Sequence, residues 1–264
     1  MNWIEAVIIG ILQGFTEFLP ISSSGHIELA RVLLRANVEE GLTLQIILHG
    51  ATVISTIIVF RKEIYEIFKD VLSFKKSEAS MMALKIGVSM IPLGIVGLFF
   101  EEEVSALFTG RPFWIGLMLL FTGTLLFATA KMSGRDKKIT FLVAFLIGLF
   151  QALAIIPGIS RSGATLAAAL LLGVKRTDAT QFSFLMILPP MLGATLLQVR
   201  DLSAQASAGG DEPAMLGIAF FFALVSGVFA CKWMIEIVKK GNLYYFGAYC
   251  FLIGITAMVW SYWI

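Results

Sequence analysis

The sequence predicts an all-α polytopic membrane protein with an inverted-topology repeat, each half a re-entrant helix pair followed by three transmembrane helices. Three observations carry that prediction. Hydrophobic residues make up 58% of the 264-residue chain and charged ones 14%, with a mean hydropathy of +0.88, whereas soluble domains are roughly 45–50% apolar. The apolar residues fall in runs near the roughly 20 residues that cross a bilayer. An offset of 138 aligns Gly10, Gln13, Ile21, Ser22, Ser24 and Gly25 with Gly148, Gln151, Ile159, Ser160, Ser162 and Gly163 without a gap.

The elements follow in order. Trp3 to Leu19 is apolar and stops at Pro20, which cannot continue a helix, and Ile27 to Leu34 is too short to span. Together they form the first re-entrant pair. Leu42 to Phe60, Met81 to Phe100 and Pro112 to Ala130 are each long enough to cross. Ile139 to Ile156 then breaks at Pro157-Gly158, and Ala164 to Val174 repeats the short second helix. Phe182 to Val199, Ala214 to about Trp233 and Leu243 to Ile264 supply three more spans. Gly193-Ala194-Thr195 falls on Gly50-Ala51-Thr52 after a five-residue shift. The chain is therefore one membrane domain, residues 1–264, with repeat 1 over about 1–130 and repeat 2 over about 139–264. Three crossings per half is an odd number, so the second half enters from the opposite side.

Charge sets the orientation. Basic residues gather in the loop Arg61 to Ser80, in Lys131 to Lys138, at Lys175 and Arg176, and in Lys232 to Asn242, all on one side of the predicted topology. The other side carries only Arg31, Arg35, Arg111 and Arg200, with acidic clusters at Glu39-Glu40, Glu101 to Glu103 and Asp211-Glu212. The positive-inside rule makes the first side cytoplasmic. Both termini and the first re-entrant pair then face outward from the plasma membrane. The opening Met1-Asn2-Trp3-Ile4-Glu5 lacks a basic region, and Glu5, Gln13 and Glu17 interrupt the following apolar run, so no cleaved signal is expected. Cys231 and Cys250 lie inside apolar runs without metal-ligand spacing and are expected to be buried, inert thiols.

Two polar stretches interrupt this apolar background. Gln13 to His26 brings Gln13 and Glu17 onto one helix face, then Ser22, Ser23, Ser24 and Gly25 at a turn, then His26 within a first helical turn. Ionisable groups at such depth are costly and mark functional sites. The free N–H groups at the start of the second short helix would bind an anion. Pro157 to Gly163 places Arg161 at the corresponding turn. It serves there either as a counter-ion for Glu17 or as a bidentate phosphate clamp, and the second role suits a guanidinium beside a helix N-terminus. His49, the other histidine, sits mid-span and is expected to be a packed, hydrogen-bonded side chain.

The motifs Q-x-x-x-E-F-L-P-I-S-S-S-G-H and P-G-I-S-R-S-G-A-T resemble the two signatures of the undecaprenyl-pyrophosphate phosphatase family of the bacitracin-resistance type, and the resemblance covers nearly the whole chain. It implies removal of the terminal phosphate from a C55 polyprenyl diphosphate, with a divalent metal, Mg2+ or Ca2+, to give the monophosphate carrier lipid of cell-envelope synthesis. By position, Glu17, Ser22, Ser23, His26, Ser160, Arg161 and Thr165 match the family pattern, and Gln13 stands where it admits Glu or Gln. The expected catalytic residues are Ser23, His26, Glu17 and Arg161. Substrate binding falls to Gln13, Ser22, Ser24, Gly25, Gly158, Ser160, Ser162 and Thr165, and metal binding to Glu17. Attack by Ser23 stands beside attack by His26 or by a water that His26 activates. The expected partners are the lipid substrate and the bilayer; no nucleic acid is expected, and a homodimer is compatible with the reading. A phosphatase of the phosphatidic-acid type needs a histidine where this chain has Ala167. A transporter or flippase on the same inverted repeat is the alternative, but it has no need of a nucleophile beside a base.

Overall fold

The computed structural model describes residues 1–34, 42–100, 112–130, 132, 136–204 and 213–263. Among these, eleven helices are present: α1 Trp3–Phe18, α2 Ser23–Leu34, α3 Leu42–Val59, α4 Arg61–Leu72, α5 Glu78–Phe99, α6 Pro112–Ala130, α7 Phe141–Leu153, α8 Arg161–Leu171, α9 Arg176–Ala204, α10 Pro213–Lys240 and α11 Tyr244–Trp260. Local chemistry fixes several of the ends. Asn2 and Glu5 form a reciprocal capping box at the start of α1, Ser77 and Ser80 do the same for α5, and Thr140 caps α7. Ser160 accepts from Gly163 N–H at 3.2 Å, so α8 begins at Arg161, three residues earlier than the apolar run indicates.

Four helices are long and apolar enough to cross a membrane: α5, α6, α9 and α10. This makes the chain a multi-pass membrane protein. The sequence reading expects six spans. The remaining two, α3 and α11, are apolar helices of 18 and 17 residues, and α3 reaches the criterion for a span only together with α4, from which it is bent by 81°. Helix α4 corrects the reading of Arg61 to Ser80 as a loop. Its apolar residues Ile64, Phe68, Val71 and Leu72 recur at helical spacing, and none of its residues is buried. Arg35, Glu39, Glu40, Glu101 to Glu103, Arg111, Lys131, Arg135, Asp211 and Glu212 lie outside the described residues.

Close packing depends on small residues, as expected where lipid supplies no hydrophobic drive between helices. A Cβ on Gly10 would meet the Ala219 carbonyl, so α1 lies directly on α10; one on Gly148 would meet the backbone of Ser89, so α7 lies directly on α5. Helix α6 meets α11 in the same way at Gly116 and Gly254. The short helix α8 is the centre of the molecule, buried continuously from Ser162 to Leu170. Cys231 and Cys250 are buried and unpaired, and Cys250 Sγ donates to the Pro20 carbonyl at 3.6 Å.

The two helix breaks touch each other. A Cβ on Gly25 would lie 3.0 Å from Gly158 Cα, and one on Gly163 would lie 3.1 Å from Pro20 Cβ. The offset of 138 carries Pro20 to Gly158 and Gly25 to Gly163, so it exchanges these two contacts. Within each turn the hydroxyls match as well: Ser22 and Ser24 Oγ are 3.4 Å apart, and Ser160 and Ser162 Oγ are 3.3 Å apart.

The basic segments also come together. Arg176 donates to the carbonyls of Met132 and Val238, both at 3.1 Å, and Lys137 N–H donates to the Gly173 carbonyl at 3.1 Å. Lys138 lies 3.8 Å from Glu78. The described parts of all four basic segments therefore meet at one end of the bundle.

Candidate active site

Pro20 ends α1, and the backbone reverses through Ser22, whose φ of 68° is unusual for a residue with a side chain. Two contacts hold this turn. Gly25 N–H donates to Ser22 Oγ at 3.2 Å, and His26 Nδ1 lies 2.8 Å from the Ser22 carbonyl. A carbonyl can only accept, so Nδ1 is the donor in that contact and Nε2 is left for a second partner. Tyr249 fills that position, with its hydroxyl 2.9 Å from Nε2 and its ring stacked on the imidazole.

The turn delivers Ser23 to Glu17. Ser23 Oγ donates to Glu17 Oε2 at 3.1 Å, and Gln13 Nε2 donates to the same oxygen at 3.2 Å from one helical turn away. The other carboxylate oxygen faces Arg161, whose Nη2 is 3.7 Å from Oε1. That separation is an ion pair but too long for a hydrogen bond. The Glu17 side chain is only 8% exposed, whereas Arg161 keeps 35% of its side chain open to the cavity. Arg161 therefore neutralises Glu17 and still has guanidinium N–H groups with no partner among the described residues.

The second break is pinned from α6. Thr122 Oγ1 donates to the Gly158 carbonyl at 3.0 Å and accepts from Ser160 N–H at 3.2 Å. Gly158, with φ of +91°, occupies a conformation that disfavours any other residue. The guanidinium of Arg161, the first residue of α8, then reaches the cavity at the positive end of that helix.

A cavity of about 440 Å³ collects these groups. Of the residues expected from the sequence, Gln13, Glu17, Ser22, Ser23, Ser24, Ser160 and Arg161 line it. Gly25 and Gly158 sit at the contact between the turns, and Ser162 and Thr165 are buried beneath it, bonded to the Leu19 and Arg161 carbonyls at 3.4 and 2.9 Å. His26 does not line the cavity. The remaining walls are largely apolar, with Leu48, Leu93 and Pro190 among them, and one further imidazole, His49. His49, expected to be packed and hydrogen-bonded, is packed in the wall of the cavity, but its ring has no hydrogen bond among the described residues. Thr122, Tyr249 and His49 carry no local motif, and only the tertiary fold brings them to the site.

The two turns contribute unequally. The offset of 138 places Ser23 on Arg161, Glu17 on Ile155 and His26 on Ala164. A hydroxyl and a guanidinium thus hold equivalent positions at the two turns.

The bacitracin resistance protein BacA family model matches residues 6–256. The undecaprenyl-diphosphatase of Christiangramia forsetii is 44% identical over 265 residues, covering 99% of each chain. That of Bacteroides fragilis is 45% identical over 263 residues, again 99% of each chain. That of Methanococcus vannielii is 42% identical over 252 residues, 94% of this chain and 96% of its own.

Proposed function

Because this chain belongs to the bacitracin resistance protein BacA family, we infer that it is an integral membrane undecaprenyl-diphosphatase. It hydrolyses undecaprenyl diphosphate to phosphate and the monophosphate carrier lipid used in cell-envelope synthesis. The observation that carries this reading is the Ser23–Glu17 hydrogen bond beside a guanidinium with unbonded donors, in a cavity that these polar groups share with apolar side chains.

The residues divide the work as follows. Ser23 attacks the terminal phosphorus and passes its proton to Glu17, which already accepts its hydrogen bond. The bond from that phosphorus to the bridging oxygen breaks, and the lipid monophosphate leaves. Water then displaces phosphate from Ser23. Arg161 and the N-termini of α2 and α8 hold the charge on the phosphoryl oxygens, the dominant contribution in phosphoryl transfer. His26, with both ring nitrogens engaged, fixes the Ser22 turn from which Ser23 projects. Ser22, Ser24 and Ser160 supply hydroxyls, and Leu48, Leu93 and Pro190 receive the start of the isoprenoid.

Among the described residues no three acidic, histidine or cysteine side chains could share a metal ion. Glu17 and the Gln13 amide oxygen are hard donors that suit Mg2+ or Ca2+ arriving with the diphosphate, in keeping with magnesium's use of one or two carboxylates plus substrate phosphates. Bound there, the ion would neutralise diphosphate charge. The exchange of turn contacts under the 138 offset supports an inverted repeat. The gathering of the basic segments at one end supports a cytoplasmic assignment for that end, with the chemistry facing outward.

The test is phosphate release from undecaprenyl diphosphate by the purified protein. Turnover by wild type that is lost in Ser23→Ala is the expected result. Turnover that survives in Ser23→Ala would remove the nucleophile, and transport without release would remove the hydrolase.

A further inference from the structure

Gln45, Leu48 and His49 recur at the three- and four-residue spacing that shares one helix face, and all three line the cavity that holds Ser23, Glu17 and Arg161. The His49 carbonyl accepts from Thr52 Oγ1 at 2.9 Å, but its imidazole has no hydrogen bond among the described residues. Glu17 and Arg161 are the charged side chains that line the same cavity. The His49 ring nitrogens are therefore left to whatever enters the cavity. His26 cannot fill the same role in this arrangement, because Ser22 and Tyr249 occupy its two nitrogens and it stands outside the cavity.

Building on the hydrolase reading, we propose that His49 is a further catalytic residue, the proton carrier for the diphosphate. In the first step the bond from Ser23 Oγ to the terminal phosphorus forms and the bond to the bridging oxygen breaks. Glu17 receives the serine proton, and His49 gives its ring proton to the departing lipid phosphate. In the second step water attacks the phosphorylated Ser23. His49 takes back a proton from that water, Glu17 returns its proton to Ser23 Oγ, and inorganic phosphate leaves. The sum is one water consumed and one phosphate released, with every side chain restored.

The test compares purified wild type, His49→Gln and His49→Asn on undecaprenyl diphosphate. Both variants should lose a factor of about a hundred or more in kcat, the contribution of a positioned acid–base group. KM should stay within about threefold, because the contact matters most in the transition state. Turnover of either variant within about threefold of wild type would overturn the proposal. A second measurement uses the intact wild-type protein, whose only histidines are His26 and His49. Treatment with diethyl pyrocarbonate, read by peptide mass spectrometry, should inactivate in step with modification of His49. Full activity after complete modification of His49, or inactivation that follows His26 alone, would overturn it equally. Wild type that releases no phosphate would instead defeat the hydrolase reading on which the proposal rests.

Discussion

Arg161 is both a counter-ion and a set of open donors, and substitution separates the two. Arg161→Lys keeps the charge beside Glu17 but loses the planar pair of donors that fits a phosphate. We expect kcat to fall by a factor of about 10² to 10³, the cost of losing a strong transition-state contact. A lysine variant near wild-type turnover would leave only the counter-ion role. Glu17 and Gln13 make a sharper pair. Glu17→Gln removes the acceptor for Ser23 and should abolish most turnover, whereas Gln13→Glu adds a carboxylate one helical turn away and should keep it. Equal tolerance at both positions, measured as phosphate release, would deny Glu17 a charged role. The polar motifs at both turns were legible because glutamate, serine and arginine are conspicuous in an apolar chain. His49 was not, since a lone histidine inside an apolar run looks the same whether its ring meets packed side chains or a cavity. Tyr249 and Thr122 were invisible for the same reason, 223 and 38 residues from His26 and Ser160, the groups they hold.

At the scale of the element, the breaks were readable from Pro20 and Pro157-Gly158, but the helix starts shifted because capping hydroxyls decide them. Ser160 is the clear case: its side chain begins α8 at Arg161 and so turns that residue toward the cavity. Gly158→Ala should damage this element strongly. The added Cβ would lie 2.7 Å from Met118 Cβ and 2.8 Å from the Ile115 carbonyl, on a residue with φ of +91°. Strained backbone alone costs about 1–3 kcal/mol. A thermal transition unchanged from wild type would show that the turn relaxes freely. Helix α4 went unread because its charges, Arg61, Lys62, Glu63, Glu66, Lys69 and Asp70, outweigh its apolar stripe in any count of composition. Its near-perpendicular bend from α3 and its exposed Phe68 and Leu72 suit a helix lying in the membrane interface. A tryptophan placed at Phe68 should be quenched by lipids brominated along the acyl chain. Emission indifferent to those lipids would put α4 in water.

For the whole molecule, the gathering of the basic segments at one end was legible because four separated segments are rich in basic residues, and Arg176 physically ties two of the others together. Single cysteines at residues 2 and 138, in a background with Cys231 and Cys250 replaced, should react with an impermeant reagent on intact cells only at residue 2. The reverse pattern would turn the active site to the cytoplasm. The number of complete crossings was less legible, since hydropathy counts apolar residues and cannot see where α3 bends or where α11 stops. One consequence of the contact between Gly25 and Gly158 concerns time. A ribosome adds roughly 5–20 residues per second, so on the order of ten seconds separates the emergence of the first turn from that of the second. Throughout that interval Glu17 exists without Arg161 and Gly25 without its seat. A Glu17 carboxylate without its counter-ion is costly in hydrocarbon, so the first turn is favoured at the water boundary until Arg161 has been made.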